Sequence, residues 1–240
     1  MKLAIMSDIH GNLEAFQEVL ADMDEQGVED VVCLGDCVGY GPDSDKVLDL
    51  LWSRRIPSVL GNHEEAIFSD EILNWFNPQA RETVLKIRSQ IPSDAVDRLK
   101  QWPTHLVFHD AWCVHGFPPD SVHTYLFQAT NADIAESFAN IEQQIIFVGH
   151  THTLELVAFD GERVDSYGLE DGLVLLDERR YIVNVGSVGQ PRDGNNNAKY
   201  VIWDEGLHHL EVRFVPYDIG ATVDKIMSLG FPEVNARRLW

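Results

Sequence analysis

The sequence predicts an α/β fold with two β-sheets and helices on the outside. In the first hundred residues, short apolar runs alternate with helical patterns, and this βαβαβ order is typical of a parallel sheet with right-handed crossovers. In the second half, turn signals separate strand-like runs, which predicts a second, mostly antiparallel sheet packed on the first. Five apolar runs predict buried strands: Leu3–Met6, Val31–Leu34, Pro57–Leu60, Ala111–Val114 and Ile145–Val148.

The elements of the first half follow from local signals. After the first strand, Asn12 is a good N-cap for a helix that ends near Gly27, since apolar residues recur at helical spacing between them. The second strand leads into a loop rich in Gly and Pro at 39–42, and a helix over about residues 45–53 precedes the third strand.

A largely helical insertion is expected at about residues 64–103, with breaks at Pro78 and Pro92. It either lies over the strand ends as a cap on the site or only covers a face of the sheet.

Hairpin turns are expected in the second half, and helices near residues 133–140 and 219–229. The turn signals are His109–Asp110, Asp160–Gly161, Glu170–Gly172 and Glu205–Gly206. The chain has 240 residues without a repeat or linker, so we expect a single domain over residues 1–240.

Composition excludes several classes of function. The chain has 18 Lys+Arg and 39 Asp+Glu, a net charge of −21, and such a surface repels nucleic-acid polymers and anionic membranes. No apolar stretch is long enough to cross a bilayer, and the N-terminus reaches Asp8 too early for a signal peptide, so a cytoplasmic protein is expected.

Three cysteines argue against a disulfide framework. Cys33 and Cys113 are expected to be buried packing residues, whereas Cys37 follows Asp36 in a loop and is expected to be more exposed. A zinc or redox pair of Cys33 and Cys37 is the weaker alternative.

Polar residues that bind metals follow each of the five apolar runs. Ligands in α/β folds gather beyond the carboxyl ends of strands, so these residues are expected to lie close together. Their mixture of nitrogen and oxygen donors suits a transition-metal site. Because residues i and i+2 of a strand point the same way, Asp8 and His10 are expected to reach one ion together, as are His150 and His152.

The same residues carry a resemblance to a known family. The blocks are Asp8-Ile9-His10, Gly35-Asp36, Gly61-Asn62-His63-Glu64, His115 and Gly149-His150-Thr151-His152. Their order resembles that of the calcineurin-like metallophosphoesterases, in particular small prokaryotic phosphodiesterase-type members. The resemblance implies a four-layer α-β-β-α sandwich of two mixed sheets flanked by helices.

The resemblance also implies roles for these residues. One divalent ion would be bound by Asp8, His10, Asp36 and His152, and a second by Asp36, Asn62, His115 and His150. Asp36 would bridge the ions, which could be Mn, Fe, Zn, Co or Ni. A metal-bridging hydroxide would attack phosphorus in line, and His63 would act as the general acid at the leaving group.

Two departures from the family pattern are visible. Many relatives carry an Asp that orients the catalytic His, often with an Arg after it, where this chain has Gly39-Tyr40-Gly41. The partner of His63 is therefore Asp43, Asp45 or none. Arg192 could replace the missing phosphate-binding Arg, or it could be a surface residue paired with Asp193.

Aromatic residues and further histidines have simpler default roles. Tyr40, Tyr125, Trp75 and Phe117 could line a substrate pocket, although core packing is the usual role of such residues. Five histidines fit no block and are expected in turns or on strand surfaces: His105, His109, His123, His208 and His209.

The resemblance implies a dinuclear phosphoesterase, in the first place a phosphodiesterase. The alternatives are a phosphomonoesterase or a protein or nucleotide phosphatase, and a non-catalytic interaction module on the same scaffold. The expected partner is a small phosphate ester, with neither a nucleic-acid polymer nor a membrane. The oligomeric state is left open.

Overall fold

The computed structural model describes residues 1–240, and its strands form two mixed sheets. In chain order the strands are β1 (Lys2–Met6), β2 (Asp30–Cys33), β3 (His105–Phe108), β4 (Ala111–Val114), β5 (Ile145–Val148), β6 (Leu154–Phe159), β7 (Val164–Gly168), β8 (Gly172–Leu175), β9 (Arg180–Val185), β10 (Ala198–Asp204) and β11 (His209–Val215). The first sheet has the spatial order β2-β1-β10-β11-β8, and the second β3-β4-β5-β9-β6-β7.

Nine α-helices surround the sheets. They are α1 (Leu13–Glu25), α2 (Ser44–Ser53), α3 (Asn62–Phe68), α4 (Asp70–Leu73), α5 (Pro78–Arg88), α6 (Ser93–Leu99), α7 (Asn131–Asn140), α8 (Ile219–Ser228) and α9 (Glu233–Arg237). Helix α1 begins where expected, because the side chain of Asn12 accepts a hydrogen bond from the Ala15 N–H at 3.1 Å. None of these helices is both long and apolar enough to span a membrane.

The packing order is helices, sheet, sheet, helices, as the sequence predicts. Side chains of β1 alternate between two cores: Leu3 and Ile5 lie between the sheets, while Ala4 and Met6 face α1 and the other helices of that side. In β5, Ile145 and Phe147 likewise lie between the sheets, whereas Ile146 and Val148 face α7. The strands β1 and β5 are therefore buried on both faces, whereas β7 and β8 at the sheet edges are largely exposed.

The predicted third strand is wrong. Residues 57–60 make one isolated bridge, between Ser58 and Cys33, where β2 ends. The N–H of Leu60 donates instead to the carbonyl of Pro103 at 2.7 Å, and the chain enters α3 at Asn62. The pairing with β2 is therefore too short to form a strand.

The expectation of a parallel first sheet is also wrong, whereas the second sheet is mostly antiparallel as expected, with three antiparallel and two parallel pairings. The hairpin of β10 and β11 joins the first sheet, where β10 lies antiparallel to β1, and the second sheet holds the parallel neighbours β4, β5 and β9. The turn at 170–172 connects β7 of one sheet to β8 of the other, so it is no hairpin. Hydrophobic pattern predicts strands, but it does not assign them to a sheet.

The cysteines are all free and buried. Cys37 is fully buried, so the expectation of greater exposure is wrong. Its sulfur lies 3.5 Å from that of Cys33. The loop after β2 folds inward towards the site, and this buries Cys37 in the core against the helices.

Candidate metal centre

The loops after the strands bring the predicted residues together through left-handed backbone turns. Asp8 and His10 have φ values of 56° and 50°, and His150 and His152 have 68° and 61°. The strands end before these residues, so it is these turns, and not an extended strand, that aim the side chains. Asp8 and His10 nevertheless reach one group together, as expected. Residues other than glycine rarely adopt such φ values, and strain of this kind is concentrated at functional sites.

Asp8, His10 and His152 form the first group. The Nε2 atoms of His10 and His152 are 3.0 Å apart, and Oδ1 of Asp8 lies 3.5 Å and 3.2 Å from them. His150 lies in another group, so the expectation that His150 and His152 reach one ion together is wrong. All three side chains are buried.

Asp36, Asn62, His115 and His150 form the second group. Nε2 of His115 lies 3.1 Å from Oδ1 of Asn62, 3.1 Å from Nδ1 of His150 and 3.4 Å from Oδ2 of Asp36. The same Oδ2 of Asp36 is 3.7 Å from Nε2 of His10 in the first group. Asp36 therefore lies between the two groups.

Backbone carbonyls determine which ring nitrogen of each histidine faces the centre. A carbonyl oxygen only accepts, so the nitrogen beside it carries the proton and the other nitrogen faces inward. The four pairs are His10 Nδ1 with Val38 O at 3.0 Å, His115 Nδ1 with Leu34 O at 2.8 Å, His152 Nδ1 with Gln190 O at 2.6 Å and His150 Nε2 with His123 O at 3.1 Å.

These donors fit bound cations. With both Nδ1 protons directed to carbonyls, the Nε2 lone pairs of His10 and His152 face each other across 3.0 Å and repel unless a cation lies between them. Two ligands that each lie about 2.1 Å from one ion, at a right angle, are also about 3 Å apart. In addition, the buried Oδ1 of Asp8 has no hydrogen-bond partner.

Charge in the site is balanced by the histidines. Burial raises the pKa of the Asp8 and Asp36 carboxyls, but nearby histidines outweigh burial and hold the pKa of both below the usual range. Burial lowers the pKa of His115, yet Asp36 more than reverses this and raises that pKa to about 10. Burial lowers the pKa of His152 to about 4, so its ring is neutral at pH 7.

His63 lies beside the first group, in the first turn of α3. Its ring centroid is 4.7 Å from that of His10 and 4.8 Å from those of Tyr40 and Phe76. Burial lowers the pKa of His63, and the attraction of Asp36 only partly opposes this. The imidazole is therefore neutral in the protein alone.

No acidic residue orients His63. Asp43 binds Lys46 and Lys225, and Asp45 is exposed, so neither proposed partner contacts the ring. The buried Nδ1 of His63 has no hydrogen-bond partner. A Cβ at Gly39, where relatives carry the orienting Asp, would lie 2.2 Å from this Nδ1, and φ at Gly39 is +109°. This backbone has no room for a side chain.

A cavity of about 130 Å³ opens over both groups. Arg192 lines it and bonds Oε1 of Gln190 at 3.0 Å and the hydroxyl of Tyr40 at 3.5 Å. Asp193 pairs with Lys199 at 2.9 Å, so the alternative of an Arg192–Asp193 surface pair is wrong. Tyr40 lines the same cavity.

The helical insertion contributes one wall of this cavity. Trp75, Phe76, Asn77 and Ala80 line it, as does Tyr125 from the loop before α7. Other residues of the insertion, such as Val84 and Leu99, pack in the core, so it contacts the cavity and also covers part of the core.

Sequence reasoning missed two contributors. The carboxylate of Glu64 accepts hydrogen bonds from the N–H groups of Asp36, Val38 and Gly61 at 2.8–3.1 Å, and so fixes the loop that carries Asp36. His123 lies in a bend, as expected, but it also supplies the carbonyl for His150, and its ring pairs with Glu65 at 2.9 Å. The three-residue spacing from Gly61 to Glu64 in a helix-start pattern is the one signal that points to Glu64.

Comparison with known proteins identifies the family. A model of the calcineurin-like phosphoesterase superfamily domain matches residues 1–206. The chain belongs to this superfamily. The protein is thus a member of a family of phosphoric ester hydrolases, and its Asp and His groups could hold divalent metal ions.

Several similar proteins align with nearly the full length of this phosphoesterase. An uncharacterized protein of Methanocaldococcus jannaschii is 34% identical, over 99% of this chain and 97% of its own. The crystal structure of a metallophosphoesterase from Sphaerobacter thermophilus is 31% identical, with a TM-score of 0.86 over 100% and 98% of the two chains. A hypothetical protein of Pyrococcus horikoshii shares the fold at 17% identity, with a TM-score of 0.78 over 100% and 97%.

Proposed function

We propose that this chain is a dinuclear metal-dependent phosphodiesterase. Asp8, His10 and His152 would hold one ion, Asn62, His115 and His150 the other, and Asp36 both. One observation carries this proposal: Nε2 of His10 lies 3.0 Å from Nε2 of His152, and Nε2 of His115 lies 3.1 Å from Nδ1 of His150. In each of these rings the other nitrogen donates to a backbone carbonyl. When bound, divalent ions at such a site neutralise phosphoryl charge and make water a nucleophile at neutral pH.

The protein's own residues would bind and orient the ester. Arg192 lines the cavity and has donors free for a phosphoryl oxygen. The Nδ1 of His63 faces the backbone at Gly39, so Nε2 is the atom that would hold the proton delivered to the leaving oxygen. A bound phosphate anion beside His63 would favour the protonated ring.

Charge supports a diester over a monoester. Arg192 is the one Lys or Arg side chain that lines the cavity, and the protein carries a net charge of −21. A monoester dianion brings one more negative charge than a diester. The diester therefore needs less compensation from this site. The same acidic surface supports a small substrate over a nucleic-acid polymer or an anionic membrane.

Turnover with defined metals tests the proposal. Purified protein is assayed with Mn²⁺, Fe²⁺, Zn²⁺, Co²⁺ or Ni²⁺ on bis(4-nitrophenyl) phosphate and on 4-nitrophenyl phosphate. We expect the diester to be hydrolysed with the higher kcat/KM, and His63→Ala to keep its metal while turnover falls by about 100-fold. Asp120→Asn, on an exposed turn, is the control. No hydrolysis of either ester with any metal would contradict the proposal, and a preference for the monoester would contradict its diester part.

A further inference from the structure

Two large aromatic side chains are exposed beside the cavity. Trp75 is 65% exposed and Phe127 is 71% exposed, so neither ring is part of the core. Trp75 lines the cavity that holds His63 and Arg192, and Phe127 stacks on Tyr125, which lines it as well. Exposed apolar surface next to a polar site indicates a surface that a ligand covers.

Trp75 is held in place although it is exposed. Its ring packs edge-to-face on His123, with centroids 5.3 Å apart and an interplanar angle of 64°. The Nε2 of His123 lies 2.9 Å from the carboxylate of Glu65, which fixes that imidazole. The indole therefore has a supported position at the wall of the cavity, and little conformational freedom is lost when a second ring packs on it.

Another part of the cavity lining belongs to a stack of rings that starts at the candidate metal centre. Tyr125 lies on His150 with centroids 3.9 Å apart and an angle of 13°. Phe127 continues the stack on Tyr125, at 4.9 Å and 15°. Aromatic surface thus runs from a candidate metal ligand outward to solvent, and its Tyr125 lines the same cavity as Trp75.

We infer that the substrate is a phosphodiester of a nucleoside, whose base packs on Trp75 while the phosphate lies between His63 and Arg192. This inference rests on the proposed function. A planar base gains affinity from aromatic rings without needing any charge, and Arg192 is the one Lys or Arg side chain that lines the cavity. An aliphatic ester would leave the faces of Trp75 and Phe127 in water.

Two matched pairs of compounds test the inference. The first pair is AMP and ribose 5-phosphate, whose binding to the Mn²⁺-loaded protein is measured by calorimetry. We expect AMP to bind roughly 10-fold tighter, and Trp75→Ala to remove most of this difference. Tyr167→Ala removes an exposed ring on β7, away from the cavity, and is expected to keep the difference.

The second pair consists of the 4-nitrophenyl phosphodiesters of thymidine and of methanol, which have the same leaving group. We expect Trp75→Ala to lower kcat/KM roughly 10-fold for the thymidine ester, mainly through KM, and less than about 2-fold for the methyl ester. Equal affinities for AMP and ribose 5-phosphate, or equal effects of Trp75→Ala on both esters, would overturn the inference. Base-dependent binding without turnover of either ester would support packing of the base on Trp75 and would refute the phosphodiesterase proposal, and with it the diester as substrate.

Discussion

Replacing Gly39 by Ala tests the geometry around His63. The new Cβ would lie 2.2 Å from Nδ1 of His63, whereas ordinary contacts begin at 3.4 Å, so the ring must move by about 1 Å. Phe76 and Tyr40 pack on this imidazole, so the ring would be displaced towards the cavity that it lines. A displacement of about 1 Å at a catalytic group costs about 100-fold in rate. We therefore expect Gly39→Ala to lower kcat about 100-fold on bis(4-nitrophenyl) phosphate.

The backbone contributes separately to stability. Gly39 has φ of +109°, and a non-glycine residue there costs about 1–3 kcal/mol in the free energy of unfolding. Gly161 is the matched control, because it has φ of +104° and nothing lies within 4 Å of a Cβ placed on it. Gly161→Ala should therefore lose similar stability from the backbone and keep full activity.

The assay compares both variants in kcat, metal content and melting temperature. We expect Gly39→Ala alone to lose activity, with bound metal unchanged. If Gly39→Ala retains more than half of the wild-type kcat, or if Gly161→Ala loses as much, the reasoning about His63 is refuted.

Three further predictions concern stability and the thiols. Lys199→Met should lower the free energy of unfolding, measured by urea titration, by about 3 kcal/mol. The reason is that Asp193 and the carbonyls of Asn195 and Asn197 would lose the buried ammonium group that they contact. An unchanged urea midpoint would contradict this. Asn235→Ala should cost about 1–3 kcal/mol by the same measurement, since its amide donates to the carbonyl of Tyr40 at 2.8 Å and to Thr83 at 3.1 Å; Asn140→Ala, on an exposed site, should cost much less. No cysteine should react with a thiol reagent in the native protein and all three should react in denaturant, so rapid native labelling would show that the loop after β2 opens.

The sequence was sufficient to predict the layers and the residues around the metal centre. Each apolar run ends where the chain leaves the core. The polar residues that follow these runs therefore lie at the same edge of the fold. The pairing of the strands could not be predicted from the sequence. The alternating pattern that buries Leu3 and Ile5 would be the same whichever strand paired with β1. Residues 57–60 have the composition of a strand, but they meet β2 only at its last residue, Cys33, before the chain enters α3.

Side-chain grouping at the site also needed the structure. The split between His150 and His152 depends on left-handed turns, which residues other than glycine adopt rarely and which the strand pattern does not predict. Glu64 acts through three backbone N–H groups, and its two partners on the loop of Asp36 lie 28 and 26 residues away in sequence. The absence of a partner for His63 became clear only from the space around Gly39.

Metal stoichiometry tests the central claim most directly. Protein loaded with Mn²⁺ and freed of excess metal is measured by elemental analysis, beside Asp36→Asn and the exposed control Asp120→Asn. We expect two ions per chain in the wild type and the control, and loss from both positions in Asp36→Asn, since Oδ2 of Asp36 lies within 3.4 Å of His115 and 3.7 Å of His10. Two ions per chain in Asp36→Asn, or none in the folded wild type, would contradict a carboxylate shared by two cations.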